Sequence, residues 1–245
     1  MERPWIRSYP PGVAADIDLG TYSSIRDILE SSCGRFADLP AFTCMGATIT
    51  YRELDRLSAD FGSWLQNAAG LGKGARVALM MPNLLQYPVA IFGVLRAGLI
   101  VVNCNPLYTP RELEHQLNDS GAEAIVILEN FAKTLEEVIG RTKVKTVVTT
   151  QIGDMLGFPK SLLVNFAVKR VKKLVPPFSL PGAVPFRAAL SAGASHRLAP
   201  PPLSHDDIAF LQYTGGTTGV SKGAMLTHRN LVANLLQVST WVGTG

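Results

Sequence analysis

Four short apolar runs constrain this chain more than any other feature. Residues 77–80 (Val-Ala-Leu-Met), 99–102 (Leu-Ile-Val-Val), 124–128 (Ala-Ile-Val-Ile-Leu) and 146–149 (Thr-Val-Val-Thr) are too short for helices. Most of their residues are apolar on both strand faces, the pattern of strands covered on two sides in a parallel sheet. The segments between them have helical spacing. Residues 51–66 carry Leu54, Leu57, Phe61, Trp64 and Leu65 on one helical face, and Thr50 with Glu53 makes a capping box at the start. Further helices are expected over 84–97, 111–117 and around 131–139, and residues 41–42 and 48–50, flanking Met45 and Gly46, read as a small hairpin. This alternation predicts βαβ units, hence an α/β fold with mostly parallel sheets flanked by helices.

Residues 88–102 are apolar enough to suggest a membrane span, but Arg96 sits inside them. A central arginine costs an inserted helix roughly 2.5–3.5 kcal/mol. A buried helix running into a buried strand accounts for the segment better. The start, Met1-Glu2-Arg3-Pro4, lacks an apolar signal core, so the chain is expected to be intracellular, that is, cytoplasmic. Cys33, Cys44 and Cys104 are scattered without C-x-x-C spacing and read as reduced thiols. With 245 residues, 47% of them hydrophobic, the chain can bury a sizeable core.

The chemistry concentrates in one loop. Tyr213-Thr214-Gly215-Gly216-Thr217-Thr218-Gly219-Val220-Ser221-Lys222-Gly223 follows an apolar run, 208–211, that reads as a strand. It precedes residues 224–230 and an apolar-periodic segment that reads as a helix. Its glycines let backbone N–H groups close on an anion, its threonines add donors and Lys222 adds positive charge. Such a loop is suited to phosphate. It is not a Walker A loop, because Ser221 precedes Lys222 and Gly223 follows it. No G-x-G-x-x-G dinucleotide fingerprint can be read across it either.

This loop, with the trailing Leu226-Thr227-His228-Arg229-Asn230, resembles the phosphate-binding signature of adenylate-forming enzymes. Upstream, Met81-Pro82-Asn83, the stretch from Gly93 to Gly98, and Asn105-Pro106-Leu107-Tyr108-Thr109-Pro110 are similar to bacterial long-chain fatty-acyl-CoA synthetases. The resemblance implies ATP-dependent activation of a long-chain fatty acid to an acyl-adenylate, then to acyl-CoA, with ATP, Mg²⁺ and coenzyme A. It implies that the backbone of Gly215, Gly216 and Gly219 and the hydroxyls of Thr214, Thr217 and Thr218 hold the β- and γ-phosphates. Lys222 would neutralise charge and Thr214 would touch Mg²⁺. His228 would lie near the acyl pocket, with a bland helix-start histidine as the alternative. Tyr213 would set its ring beside the nucleotide, with a core tyrosine as the alternative. Arg229 is expected in solvent, and His115, His196 and His205 are expected to be structural. A homodimer is compatible with the resemblance.

The chain is expected to divide into a 1–50 extension with hairpin, a 51–175 α/β subdomain, a 176–204 irregular connection, and 205–245 with strand, loop and helix. The resemblance makes it an amino-terminal portion of the AMP-binding domain, without the carboxy-terminal domain and its catalytic lysine, and inactive alone. A non-catalytic nucleotide- or phosphate-binding module and a membrane-associated interaction domain are the alternatives.

Charge is uneven. Residues 133–173 carry nine Lys/Arg against three Asp/Glu, within a chain of net charge +4. Inside this block, residues 160–175, from Lys160 to Val175, read as a basic amphipathic helix with Lys169, Lys172 and Lys173 opposite most of its apolar residues. Such a helix either lies against an anionic membrane, on the inner face of the cell membrane here, or presents a solvated basic face. Nucleic acid is not expected, because Phe166 is the segment's single aromatic.

Overall fold

The computed structural model describes residues 3–214 and 221–243. The hairpin is present: β1 (Pro40–Cys44) pairs antiparallel with β2 (Ala47–Thr50). Its two turn residues, Met45 and Gly46, both have positive φ (51° and 72°), as a type I′ connection requires.

The main sheet has seven strands: β3 (Arg76–Met80), β4 (Ile100–Asn103), β5 (Ala124–Leu128), β6 (Thr146–Thr150), β7 (Val184–Pro185), β8 (Ile208–Thr214) and β9 (Lys222–Thr227). Their order is β7-β6-β5-β3-β4-β8-β9, parallel throughout except for the antiparallel β9. Residue alternation sorts the strands onto two cores. Val77, Leu79, Val101 and Val126 face a cluster built with Phe61, Leu65, Val89 and Phe186. Ala78, Met80, Val102 and Ile125 face a second cluster built with Leu113, Leu117 and Leu135. The first layer holds α1 (Ile25–Arg35), α2 (Tyr51–Asn67), α3 (Gln86–Arg96) and α7 (Phe186–Gly193); the second holds α4 (Pro110–Ser120) and α5 (Ala132–Glu136). Both Thr50–Glu53 and Thr109–Glu112 form capping boxes, at the starts of α2 and α4.

Arg96 shows why residues 88–102 are not a span. Its guanidinium donates to the Asp55 carboxylate and carbonyl, both at 2.7 Å, and to Ser58 Oγ at 3.1 Å, and it pairs with Glu30 at 3.4 Å. It clamps the corner of α1, α2 and α3. Among the described residues no helix is long and apolar enough to cross a membrane.

Four expectations need correction. Residues 176–204 are not wholly irregular, because β7 and α7 fall within them. Phe186, Ala189, Leu190 and Gly193 supply the helical spacing and are buried. An ideal Cβ on Gly193 would lie 1.9 Å from the Asp60 carbonyl oxygen, so only glycine lets α7 press on α2. Residues 222–227 form a strand, not the run-in to a helix; the last helix, α8 (His228–Val242), starts at a third capping box, Thr227 with Asn230. The helix around 131–139 is a short α5 flanked by 3-10 turns at Glu129–Phe131 and Ile139–Arg141. Finally, residues 160–175 are not one regular helix: α6 (Lys160–Phe166) passes into a π turn, Ala167–Val171, and Lys173 adopts φ 50°.

Candidate nucleotide-phosphate site

Strand β8 is placed by β4, with Val101 opposite Phe210 and Asn103 opposite Gln212. Because it runs parallel to its neighbour, it delivers Thr214 to the carboxyl edge of the parallel strands. Open α/β sheets bind ligands on that edge. Strand β9 returns from there, with Thr214 opposite Lys222 and Tyr213 opposite Gly223. Residues 215–220 therefore connect the paired ends of two antiparallel strands. Gly215, Gly216, Thr217, Thr218 and Gly219 lie outside the described residues, so what is described is the footing of the loop.

That footing is closed by side chains. Ser221 Oγ donates to the Thr214 carbonyl at 3.0 Å, and His115 Nε2 on α4 donates to the Ser221 carbonyl at 3.3 Å. His115 is thus structural in the service of the loop. Thr214 and Lys222 remain exposed at the two feet, their side chains presented to solvent.

Beneath the feet, Tyr213 is buried in the second core and its hydroxyl donates to Asp119 Oδ2 at 2.5 Å. Burial first, and then the Asp119 carboxylate accepting its proton, push the phenol well above its ordinary range. The ring crosses β9 at Gly223, where a Cβ would come within 2.9 Å of it. Tyr213 is the core tyrosine of the two alternatives, and Asp119 is a residue that sequence reasoning missed. Only its place in the last turn of α4 hinted at it. Alongside runs a polar chain: Tyr87 Oη donates to Asn103 Oδ1 at 2.8 Å, and Asn103 Nδ2 donates to Gln212 Oε1 at 2.9 Å. Cys104, next in sequence, is buried with its thiol pushed up to about 12, so no thiolate forms there near neutral pH.

The structure does not leave His228 open to a reacting group. It is 1% exposed, and its Nδ1 accepts from the Ile25 N–H at 3.2 Å. Its backbone N–H donates to the Asp207 carbonyl at 3.0 Å. The acceptor role at Nδ1 requires the neutral ring with its proton on Nε2. Burial pushes the imidazole below its ordinary pKa, in agreement with that tautomer. His228 ties α1 to the start of α8, so the expected role near an acyl pocket is corrected to a structural one. Arg229 is exposed, as expected of a solvent-facing residue.

The donor set fits a nucleotide phosphate. Exposed hydroxyl and ammonium groups stand at the loop feet, and among the described residues no group of three or more His, Cys, Asp or Glu could hold a metal ion.

The profile of the family described as AMP-binding enzyme matches residues 29–244. The long-chain-fatty-acid–CoA ligase of Escherichia coli O157:H7 is 58% identical over 243 residues, covering 99% of this chain and 43% of its own length. That of Bacillus subtilis is 34% identical, covering 98% and 43%. This chain thus spans less than half the length of the curated relatives it matches. A long-chain-fatty-acid-CoA ligase structure from Archaeoglobus fulgidus superposes with TM-score 0.71 at 24% identity, over 96% of this chain and 42% of that one. An anthranilate CoA ligase bound to anthranoyl-AMP gives TM-score 0.68 at 21% identity, over 85% and 35%. At these identities the structures establish a shared fold.

Proposed function

This chain belongs to the AMP-binding enzyme family, and from that membership we propose that it is the amino-terminal part of a long-chain fatty acid–CoA ligase. The reading is supported by the high identity to proteins so named. The observation that carries it is the footing of the loop, with Thr214 and Lys222 facing each other at the carboxyl edge of the sheet.

In the proposed reaction a fatty-acid carboxylate oxygen attacks the α-phosphorus of ATP. The bond to the β-phosphate breaks and pyrophosphate leaves. The thiolate of coenzyme A then attacks the acyl carbonyl and releases AMP. Backbone N–H groups from Gly215 to Gly219, with the hydroxyls of Thr214, Thr217 and Thr218, hold the β- and γ-phosphates, and Lys222 offsets the charge that builds as pyrophosphate departs. Mg²⁺, held by Thr214 and the phosphates, would supply Lewis-acid neutralisation of the same oxygens. His115, Ser221, Tyr213 and Asp119 are positioning residues, because their hydrogen bonds hold the two feet of the loop.

A long-chain acid partitions into bilayers, so the same reading puts the protein in the cytoplasm with peripheral contact at the inner face of the cell membrane through residues 160–175. A homodimer belongs to the reading as well, and sedimentation velocity tests it.

The decisive assay is acyl-adenylate formation from ATP and a long-chain fatty acid by the complete gene product, with isothermal titration of ATP alongside. Lys222→Ala is expected to weaken ATP about ten- to a hundredfold, the range for a hydrogen bond to a charged group. Wild-type protein that forms no adenylate with any fatty acid, or Lys222→Ala that binds ATP as wild type does, would sink the proposal.

A further inference from the structure

Helix α6 is oriented the wrong way round for a helix that packs on a core. Its inward residues include two polar ones. Ser161 is its buried residue, Asn165 Oδ1 accepts from the Gly153 N–H at 2.7 Å and its Nδ2 donates to Asp154 at 3.1 Å. Its outward residues are apolar: Leu162, Leu163 and Phe166 are 58%, 66% and 63% exposed, and Phe158 just before the helix is 85% exposed. Positions 162, 163 and 166 fall on one stripe by their three- and four-residue spacing. A monomer does not ordinarily expose such a contiguous apolar stripe to water unless something else covers it.

Cations surround this stripe. After α6 the chain makes its π turn, and Lys173 then adopts φ 50°. The result is an open cleft of about 550 Å³ lined by Lys169, Arg170, Lys173 and Phe178, among others. Lys169 is paired with Glu129 at 3.1 Å, whereas Arg170, Lys172 and Lys173 form no ion pair with a described residue. Further ties hold the segment to the body: Lys160 donates to the Met45 carbonyl at the hairpin turn, Lys169 holds Glu129 just after β5, and Asn130 Nδ2 donates to the Leu174 carbonyl at 3.0 Å. The segment is therefore a fixed platform, apolar on its outer stripe and cationic beside it. The exposed apolar residues of α8 (Leu235, Val238, Trp241 and Val242) share their helix with a single cation, Arg229.

We propose that residues 158–178 form a docking surface for a bilayer containing anionic phospholipid. Phe158, Leu162, Leu163 and Phe166 enter the interface, and a lipid phosphate lies in the cleft of Arg170 and Lys173, with Lys172 beside it. An apolar stripe flanked by unpaired cations is complementary to hydrocarbon beside negative headgroups. The inference rests on the peripheral contact proposed above and adds its chemistry: anionic headgroups are required, and insertion comes from the outward face of α6.

The test is co-sedimentation of the complete gene product with vesicles of phosphatidylglycerol and phosphatidylcholine, against phosphatidylcholine alone. Binding is expected to be much stronger to the anionic vesicles. Each cation removed should weaken it about fivefold, so Arg170→Gln, Lys172→Gln and Lys173→Gln together should cost roughly a hundredfold. Leu162→Ser with Phe166→Ser should also release the protein. Leu163→Trp should report insertion as a blue shift of emission on adding anionic vesicles. These positions are exposed, so the variants fold, and fatty-acid adenylation in detergent should be unchanged in all of them. Equal binding to both vesicle types, or a triple variant that binds like wild type, would overturn the inference. So would finding that the emission added by Leu163→Trp is already blue without vesicles, because the stripe would then be covered by protein. Adenylation is read separately, so its failure beside intact vesicle binding would count against the ligase reading alone.

Discussion

The hydroxyl of Tyr213, one residue before the first foot of the phosphate loop, donates to the Asp119 carboxylate at 2.5 Å, linking residues 94 apart in sequence. This bond and the close approach of the Gly223 backbone hold the Tyr213 ring between α4 and β9.

Replacing the phenol tests that bond. Tyr213→Phe keeps the buried ring and removes the donor, and Asp119 is exposed enough for water to take its place. The expected loss is therefore at the low end for a charged hydrogen bond, about 1.5 kcal/mol. Urea denaturation measures it. ATP affinity should fall with it in titration calorimetry, since the Tyr213 strand carries Thr214.

Gly223→Ala should cost more. A methyl group there lies 2.9 Å from two Tyr213 ring atoms, so ring or strand must move, at about 1–3 kcal/mol. Gly34→Ala in α1 is the control, because nothing lies within 4 Å of its added Cβ. It should be neutral or stabilise by about 0.5–1 kcal/mol, as alanine does in a helix. A Gly223→Ala melting temperature no lower than that of Gly34→Ala would refute the packing argument.

At the contact of α7 with α2, Gly193→Ala should be the most damaging of these changes. The 1.9 Å approach to the Asp60 carbonyl involves backbone, which cannot rotate away, so the helices must part. A loss at or above about 3 kcal/mol is expected from chemical denaturation.

His228 predicts a pH dependence with a definite sign. The fold holds its imidazole neutral and lowers its pKa below the ordinary 6.5, so the unfolded chain binds the extra proton first. The stabilisation is complete above that pH and is lost as pH falls from it toward the lowered folded value. His228→Asn offers an amide oxygen to the Ile25 N–H without a titrating ring. It should flatten this part of the stability profile between about pH 7 and 5, where an ordinary histidine titrates. An unchanged slope in the variant would show that another group is responsible.

Much of the fold was legible in the chain itself, because its signals are local. Four apolar runs became β3 to β6, Met45-Gly46 became a tight turn, and Thr50 with Glu53 capped α2. The glycine and threonine content between 213 and 223 marked the candidate site before any geometry was known. The helix of 186–193 was equally local in its spacing and was hidden only by the proline- and glycine-rich residues around it.

What the sequence determined by itself is the set of elements, since period, capping and turn chemistry act over a few residues. The tertiary structure decided what the polar and amphipathic side chains do. Arg96 became a clamp because Asp55 and Glu30 arrive from other helices, and His228 became a tie because Ile25, 203 residues away in sequence, is folded against it. Residues 222–227 became a strand because β8 offered an unpaired edge, and α6 turned its apolar side outward because Asn165 found polar partners inside. Each outcome depends on which distant group supplies a partner in a medium where unpaired polar atoms are costly, and only the folded chain brings those groups together.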